Sequence, residues 1–370
     1  MNLTVCSLIG ISSGADFSDR TLNHVQSLAA PAARWSIFVA RRLGSAAVAL
    51  LGVTILVFIV THLLADPVYL LIGQRGTPAM IDSLRHSLGY DRPLWVQYFS
   101  YLGSLVHGDF GTSRYTFQPV AGEIAQRFPA TLELAVAAMI LGLLWTIPLG
   151  VFSAIRPGGI VDRISQGLVE FGVAIPSFWL GLLLVFFLYY MLKIAPAPIG
   201  QLDITIDAPP HITGLIVIDA IIAGNTTALG SSLAHLFLPA LTLSVTSCPP
   251  ILQLTRNTMI QVLRSDFIRA ARALGLPMRT IYWRYALQNT MLPVTTMAAM
   301  TFGYLLGGTV LVETVFSWPG IGLYAVQSMQ RADYDPILGV VLLAATIYIL
   351  VYLAADLAAL FIDPRVRDAS

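Results

Sequence analysis

Two carboxylates interrupt runs that are otherwise apolar: Glu170 in GLVEFGVAIPS and Asp356 in YLAADLAALF. A charge at mid-bilayer costs about 2.5 to 3.5 kcal/mol on translocon scales, so such groups face a cavity, a partner or the interface. Lining a cavity, they would couple transport to protons or cations. Glu170 is close in sequence to Arg163, however, and Asp356 to Arg365 and Arg367, which favours pairing at the interface. Metal chemistry has no footing, because His24, His62, His86, His107, His211 and His235 are scattered and Cys6 and Cys248 are far apart. The single lysine, Lys193 in MLKIAP, is not preceded by a glycine-rich turn, so the chain has no phosphate-cradling loop with which to hydrolyse ATP. No catalytic residues are assigned. Reactive side chains do gather in one place, SDFIRAARALGLP from Ser265 to Pro277, where arginines flank an alanine centre. Ser265 as N-cap, Asp266 at the positive end of the dipole, Gly275 at the left-handed C′ position and Pro277 beyond it define a short helix. With so little side-chain bulk, Ala270, Ala271 and Ala273 allow another protein's backbone to come close, while Arg269 and Arg272 pair with acids.

The elements that must position these residues belong to a membrane. Of 370 residues 56% are hydrophobic and only 11% charged, and the mean hydropathy is +0.75, far from the usage of a soluble domain. Six segments are long and apolar enough to span: 44–64, 132–154, 168–191, 236–262, 292–312 and 336–361. The run HITGLIVIDAIIAG from His211 is shorter and carries Asp219, so it is read as an interfacial or extracytoplasmic helix. Arg34, Arg41, Arg42, Arg156, Arg163, Arg365 and Arg367 then share one side with Arg256, Arg264, Arg269, Arg272, Arg279 and Arg284, whereas 203–235 has aspartates and no arginine. By the positive-inside rule both termini are cytoplasmic.

The expected organisation is therefore an all-α integral membrane protein of six transmembrane helices. Residues 1–33 form an N-terminal extension without a basic n-region, read as loosely ordered or as an early start, and 34–65 hold the first span. Residues 66–130, with arginines balanced by acids and amphipathic stretches such as PLWVQYFSYLGSLV, form an extracytoplasmic subdomain. Residues 131–370 form the remaining core, with a cytoplasmic loop at about 263–293 between the fourth and fifth spans. Pro249 and Pro250 break or kink the fourth span, and FGYLLGG loosens the fifth, as suits helices that line a pathway and move; close packing through glycine accounts for the same features.

The loop RAARALG, followed by RYALQNTMLPV, resembles the EAA loop of bacterial ABC importer permeases in its dipeptide and oligopeptide branch. Ala270, Ala271, Gly275, Asn289, Leu292 and Pro293 match that motif, and Arg269 stands where the family has glutamate. LGYDRPLWVQYFSYLGSLVHGDFGTS, RFPATLEL, IPSFWLGLLL, HLFLPALTL, LVETVFSWPGIG and FIDPRVR are similar, in order, to the B-type peptide permease subunit. The resemblance implies a multi-pass protein of the bacterial inner membrane, not an enzyme by itself, that imports short peptides. It implies a homologous C-type permease as partner, two ATP-binding subunits that carry ATP and Mg, an extracytoplasmic substrate-binding protein, surrounding lipid, and no nucleic acid. Asp266, Arg269, Ala270, Ala271, Arg272, Gly275, Asn289 and Pro293 would couple to the ATPase. Pro176, Ser177, Phe178, Trp179, Pro249, Pro250, Trp318, Pro319 and Gly320 are the candidates for pathway or gate. Alternatives are the same kind of complex carrying nickel, glutathione or haem, and, in another class, an ion-coupled peptide symporter using Glu170 and Asp356.

The arginine pattern makes a measurable statement about sidedness. In intact cells, an impermeant thiol reagent applied outside is expected to label Ser104→Cys and to leave Ser265→Cys unlabelled; the reverse pattern would overturn the topology.

Overall fold

Inside lipid a backbone has no water to bond, so an apolar chain without closed sheets must be helical. The computed structural model describes residues 39–60, 77–87 and 91–362, and helices dominate them. α1 is Val39–Val60; α2 (Pro78–Ser87), α3 (Leu94–Val106), α4 (Val120–Ile155), α5 (Ile160–Ala174) and α6 (Ser177–Leu184) follow, the last running on into a π-helical stretch Val185–Met191. Next come α7 (Ile216–Ile222), α8 (Thr226–Ser247), α9 (Pro249–Leu263) and α10 (Asp266–Ala273). A turn at Met278–Thr280 and a π-helical stretch Ile281–Ala286 lead into α11 (Leu287–Gly308), then α12 (Val310–Val315), α13 (Ile321–Gln330) and α14 (Tyr334–Ile362). Among the described residues, strand-like pairing is confined to an isolated bridge between Thr112 and Pro119. The expected extension 1–33 lies outside the described residues, as do 66–76 and 88–90 of the expected subdomain and the tail from 363.

Four of the described helices, α1, α4, α8 and the Tyr334–Ala354 part of α14, are long and apolar enough to cross a membrane, and α5 with α6 makes a fifth if the bent pair is one span. The expected spans differ from these in instructive ways. α4 has 36 residues, about 54 Å at 1.5 Å per residue against a hydrocarbon core of about 30 Å. Residues 120–130, assigned by sequence to the subdomain, are thus the protruding first turns of the span helix. The segment 168–191 is not one straight helix: α5 and α6 meet at 107°. Pro176 forces the residue before it out of the helical region, and Ile175 accordingly has φ −90° and ψ 127°. The segment 236–262 is two helices, because Pro249 and Pro250 supply no N–H to continue α8 and instead occupy the first turn of α9. α8 compensates by starting ten residues earlier than expected, at Thr226, capped by the Asn225 side chain, which accepts from the N–H of Ala228 at 3.0 Å. The segment 292–312 falls on α11, whose 22 residues reach about 33 Å. Its opening LQNTMLPVTT keeps its hydropathy below that of the other spans. The His211 run holds the seven-residue α7, too short to cross.

From Leu50 onward the chain forms one compact unit. Its principal core gathers Leu134, Ala138, Leu243, Ile251, Val294, Leu305 and Trp318 from α4, α8, α9, α11 and the turn after α12. Small residues let these backbones approach: a Cβ on Gly142 of α4 would stand 2.2 Å from Cys248 Sγ, and one on Gly172 of α5 would stand 2.3 Å from the carbonyl oxygen of Val245. α3 lies along α1, where Tyr98 and Tyr101 flank Phe58 with ring centroids 5.4 and 5.9 Å away and the Tyr98 hydroxyl is 2.9 Å from Thr54 Oγ1.

Two glycines of α5 separate packing from propensity. Gly172→Ala must displace a backbone carbonyl, an overpacking change of about 1 to 3 kcal/mol. Gly167 has open space around it, so Gly167→Ala gains up to about 1 kcal/mol of helix propensity. Melting of the two variants in detergent, followed by size exclusion, should show the first destabilised and the second unchanged or improved.

Candidate functional site

The short basic helix forms as the sequence predicts, with one change at its start. Ser265 occupies the N-cap position, but its hydroxyl donates back to the Val262 carbonyl at 2.6 Å and makes no capping bond. Gly275 has φ +76°, the left-handed conformation in which glycine avoids the steric cost of a side chain, although the space a Cβ would fill is open. Arg269 bonds Asp266 one turn earlier, and both side chains are exposed.

The alanine centre does not act as one face. Ile268 and Ala271 turn inward and are buried with Val151 and Ala154 of α4, Met259 of α9, and Ile281 and Ala286. Ala271 therefore packs on its own chain, which corrects the expectation that it faces a partner. Ala270, Arg269, Arg272 and Ala273 remain outside, with Phe267 and the 80% exposed Leu274 as apolar contacts. The turn after α10 leads to the π-helical stretch and to Asn289, which is exposed and donates to the Tyr285 carbonyl at 2.7 Å. Pro293 lies half-buried within α11. A salt bridge braces this end: the Arg256 guanidinium of α9 holds the Asp162 carboxylate of α5 through two nitrogens, with Nη2 at 2.8 Å, and Asp162 also accepts from the N–H of Gly158 at 2.7 Å.

At the other end of α4 a second constellation closes around Glu313. This carboxylate is fully buried and accepts from Thr131 Oγ1 and Thr309 Oγ1, both at 2.7 Å, and from the N–H of Leu323 at 3.0 Å. Thr131 in turn accepts from the N–H of Ile321 at 2.9 Å, and Trp318 Nε1 donates to the Ala130 carbonyl at 2.8 Å. A Cβ on Gly320 would fall 2.3 Å from Thr131 Oγ1 and 2.5 Å from Glu313 Oε2, so the SWPG turn is wrapped on the carboxylate. Two residues along α4, Glu133 accepts from Gln201 Nε2 at 2.8 Å and from the N–H of Val217 at 2.7 Å, tying down the 192–225 connection. That connection has its own anchor in Asp219, which accepts from Thr213 Oγ1 and the Thr213 N–H at 2.7 Å and the Gly214 N–H at 3.0 Å. Burial pushes the Asp219 carboxyl up, but these bonds outweigh it and hold it below the ordinary carboxylate range. Its contribution is thus complete at neutral pH and is lost only as pH falls through that lowered value.

The remaining candidates are dispersed. Pro176, Phe178 and Trp179 are exposed at the α5–α6 bend, with Ser177 half-buried. Pro249 is buried against Gly172, and Pro250 is exposed. Trp318 and Gly320 are buried in the clamp, leaving Pro319 exposed. Glu170 is exposed on α5; Asp356 falls in α14, its side chain outside the described residues. Among the described residues, no three or more His, Cys, Asp or Glu side chains group as metal ligands. Sequence pattern alone does not mark Glu313, Thr131 and Glu133, although they sit in RFPATLEL and LVETVFSWPGIG; partners 182 positions apart leave no periodic trace.

Helices long and apolar enough to cross a membrane, held by buried polar clamps and carrying a short basic helix with an exposed outer face, define a multi-span membrane protein. Residues 146–368 match the family model described as binding-protein-dependent transport system inner membrane component, and residues 36–135 match the model for the N-terminal part of such membrane components. The chain belongs to this family of permeases. It is 42% identical over 333 residues to the probable D,D-dipeptide transport system permease protein DdpB of Escherichia coli (strain K12), covering 90% of this chain and 97% of that one. It is 39% identical over 333 residues to the dipeptide transport system permease protein DppB of the same strain, covering 89% and 98%. It is also 34% identical over 331 residues to the glutathione transport system permease protein GsiC of Salmonella choleraesuis (strain SC-B67), covering 89% and 98%.

The clamp predicts a ranking of variants. Glu313→Ala leaves three donors of the clamp without an acceptor, at about 1 to 3 kcal/mol each, whereas Thr131→Val removes two links, the donation to Glu313 and the bond accepted from the Ile321 N–H, and keeps the shape. Thermal unfolding in detergent is expected to rank wild type above Thr131→Val and that above Glu313→Ala, with protease cutting near Ser317 appearing first in the alanine variant.

Proposed function

We propose that this permease forms half of the translocation path of an ATP-driven importer of short peptides, with six spans, both termini in the cytoplasm and α10 as the contact through which ATP hydrolysed by partner subunits moves the spans. The observation that carries the coupling role is the division of α10: one face is seated in its own chain through Ile268 and Ala271, and the other presents Phe267, Ala270, the exposed Arg272 and Leu274. A helix held this way passes a push to α4 and α9 because it cannot slide over them. The short-peptide reading is supported by the dipeptide names of the two relatives cited first. Glutathione, itself a short peptide, is the alternative that the less similar relative favours. The complex would also include a homologous permease, two ATP-binding subunits with ATP and Mg, and an extracytoplasmic binding protein. Nickel and haem have no comparable support, and the symporter reading would require Glu170 to reach a cavity from its exposed position on α5.

The seat of α10 separates folding from docking. Ala271→Trp overpacks a buried cluster and is expected to lower thermal stability by about 1 to 3 kcal/mol. Ala270→Trp adds bulk on the free side, and Gly275→Val strains only the turn. Ala270→Trp should leave the isolated chain nearly as stable as wild type, and Gly275→Val should cost it about 1 to 3 kcal/mol at the strained turn; both should weaken pull-down of the ATP-binding subunit and peptide uptake in parallel. Undiminished pull-down and uptake by Ala270→Trp and Gly275→Val would remove α10 from the mechanism. Glu170→Gln uptake should stay ATP-dependent and insensitive to uncoupler with ATP held constant.

A further inference from the structure

Past α10 the chain offers a second basic feature that docking through α10 does not use. The helical stretch from Met278 into α11 carries a groove of about 680 Å³ whose lining begins with Arg279, Thr280, Trp283 and Arg284 and ends with Leu287, Gln288 and Met291. We propose that it seats one anionic phospholipid, with the phosphate on the two guanidinium groups and an acyl chain along Leu287 and Met291.

Three observations carry the assignment. First, charge: neither Arg279 nor Arg284 is paired with a carboxylate among the described residues, unlike Arg127, Arg256 and Arg269. Both are exposed, and two free guanidinium groups a turn or so apart on a helix fit a phosphate by geometry as well as charge. Second, direction: the lining changes from basic to apolar along the helix axis. Arg279 to Met291 spans about 18 Å, in the range of a phosphate plus the upper part of an acyl chain. The change occurs where the π-helical stretch Ile281–Ala286 passes into α11, whose Leu287 and Met291 stand one turn apart on the groove side with Gln288 at its edge. Third, Trp283 sits at the transition, 40% exposed, its ring edge-on to Phe152 at 5.9 Å; an amphipathic indole at that level is the side chain that membrane interfaces favour. Basic pockets beside spanning helices, at the face where positive charge gathers, bind anionic headgroups on these grounds. A soluble partner suits the groove poorly, because its apolar side, Leu287 and Met291, continues onto α11, a helix of 22 residues that the proposed function reads as a span.

The test uses the chain with whatever subunits co-purify, delipidated and then offered phosphatidylglycerol and phosphatidylcholine of identical acyl chains in equal amounts. Retained lipid is read by native mass spectrometry. Wild type is expected to keep about one phosphatidylglycerol per chain in preference. The double variant Arg279→Gln/Arg284→Gln should lower that preference at least about tenfold, since each basic residue near an anionic lipid counts for about a factor of five. Arg279→Lys/Arg284→Lys should keep most of it. Equal retention of the two lipids by wild type overturns the proposal, and so does preference undiminished in the glutamine pair. Displacement of the lipid by glycerol 3-phosphate at matched concentration also overturns it, in favour of a water-soluble phosphate site. Unchanged lipid retention with loss of the ATP-binding subunit overturns it in favour of a protein contact. Should the glutamine pair fail to fold, the wild-type competition still decides.

Discussion

A carboxylate with no exposure to solvent sits between two parts of the chain that are far apart in sequence, and its need for hydrogen bonds organises one end of the protein. Glu313 takes bonds from Thr131 and Thr309 and from the backbone of Leu323. Because an unsatisfied buried acceptor costs more than a satisfied one gains, these contacts are all made or the region reorganises. The arrangement ties α4 at Thr131 to the turn after α12, aims the SWPG turn at the Ala130 carbonyl through Trp318, and leaves room for no side chain at Gly320. Hydrophobic burial alone would not set these positions, since lipid is as apolar as the core it competes with.

Glycine and proline do for backbone spacing what the carboxylates do for register. Gly142 and Gly172 bring α4 and α5 against the α8–α9 junction, and Pro249 makes that junction a break between two helices. Neither device adds much energy by itself. Together they choose one packing among many that would be equally apolar.

Much of the architecture is legible in the amino-acid sequence, for physical reasons that differ from element to element. Long apolar runs declare spans because bilayer thickness sets their length, which is why α1, α4 and α14 stand out. Punctuation by Ser265, Gly275 and Pro277 defines α10 because helix ends have strict backbone requirements. The bend at Pro176 is hidden, since apolarity is counted along a window and continues across a turn in direction. So is the true start of α8, where 226–235 is polar enough to look like loop. The clamp partners Thr131 and Glu313 stand inside segments similar to those of permeases, yet their pairing depends on folding across 182 positions. The inward turn of Ala271 follows from helix phase: Ile268 and Ala271 are three residues apart and share a side, a relation that the alanine content of the segment does not display.

α4 is an unbroken 36-residue helix with prolines at 129 and 148. Each proline deletes the hydrogen bond to the residue four before it, at Ala125 and Leu144 respectively, so the bending compliance of this rod is concentrated near its two ends. Its two anchors, Thr131 in the Glu313 clamp and Val151 with Ala154 in the α10 seat, stand on either side of the Leu144–Pro148 break, while the Ala125–Pro129 break lies beyond the clamp. Mechanically α4 is a rod with one flexure between its anchors. Such a rod carries displacement along its axis from one anchor to the other better than it carries tilt, which is taken up at Pro148.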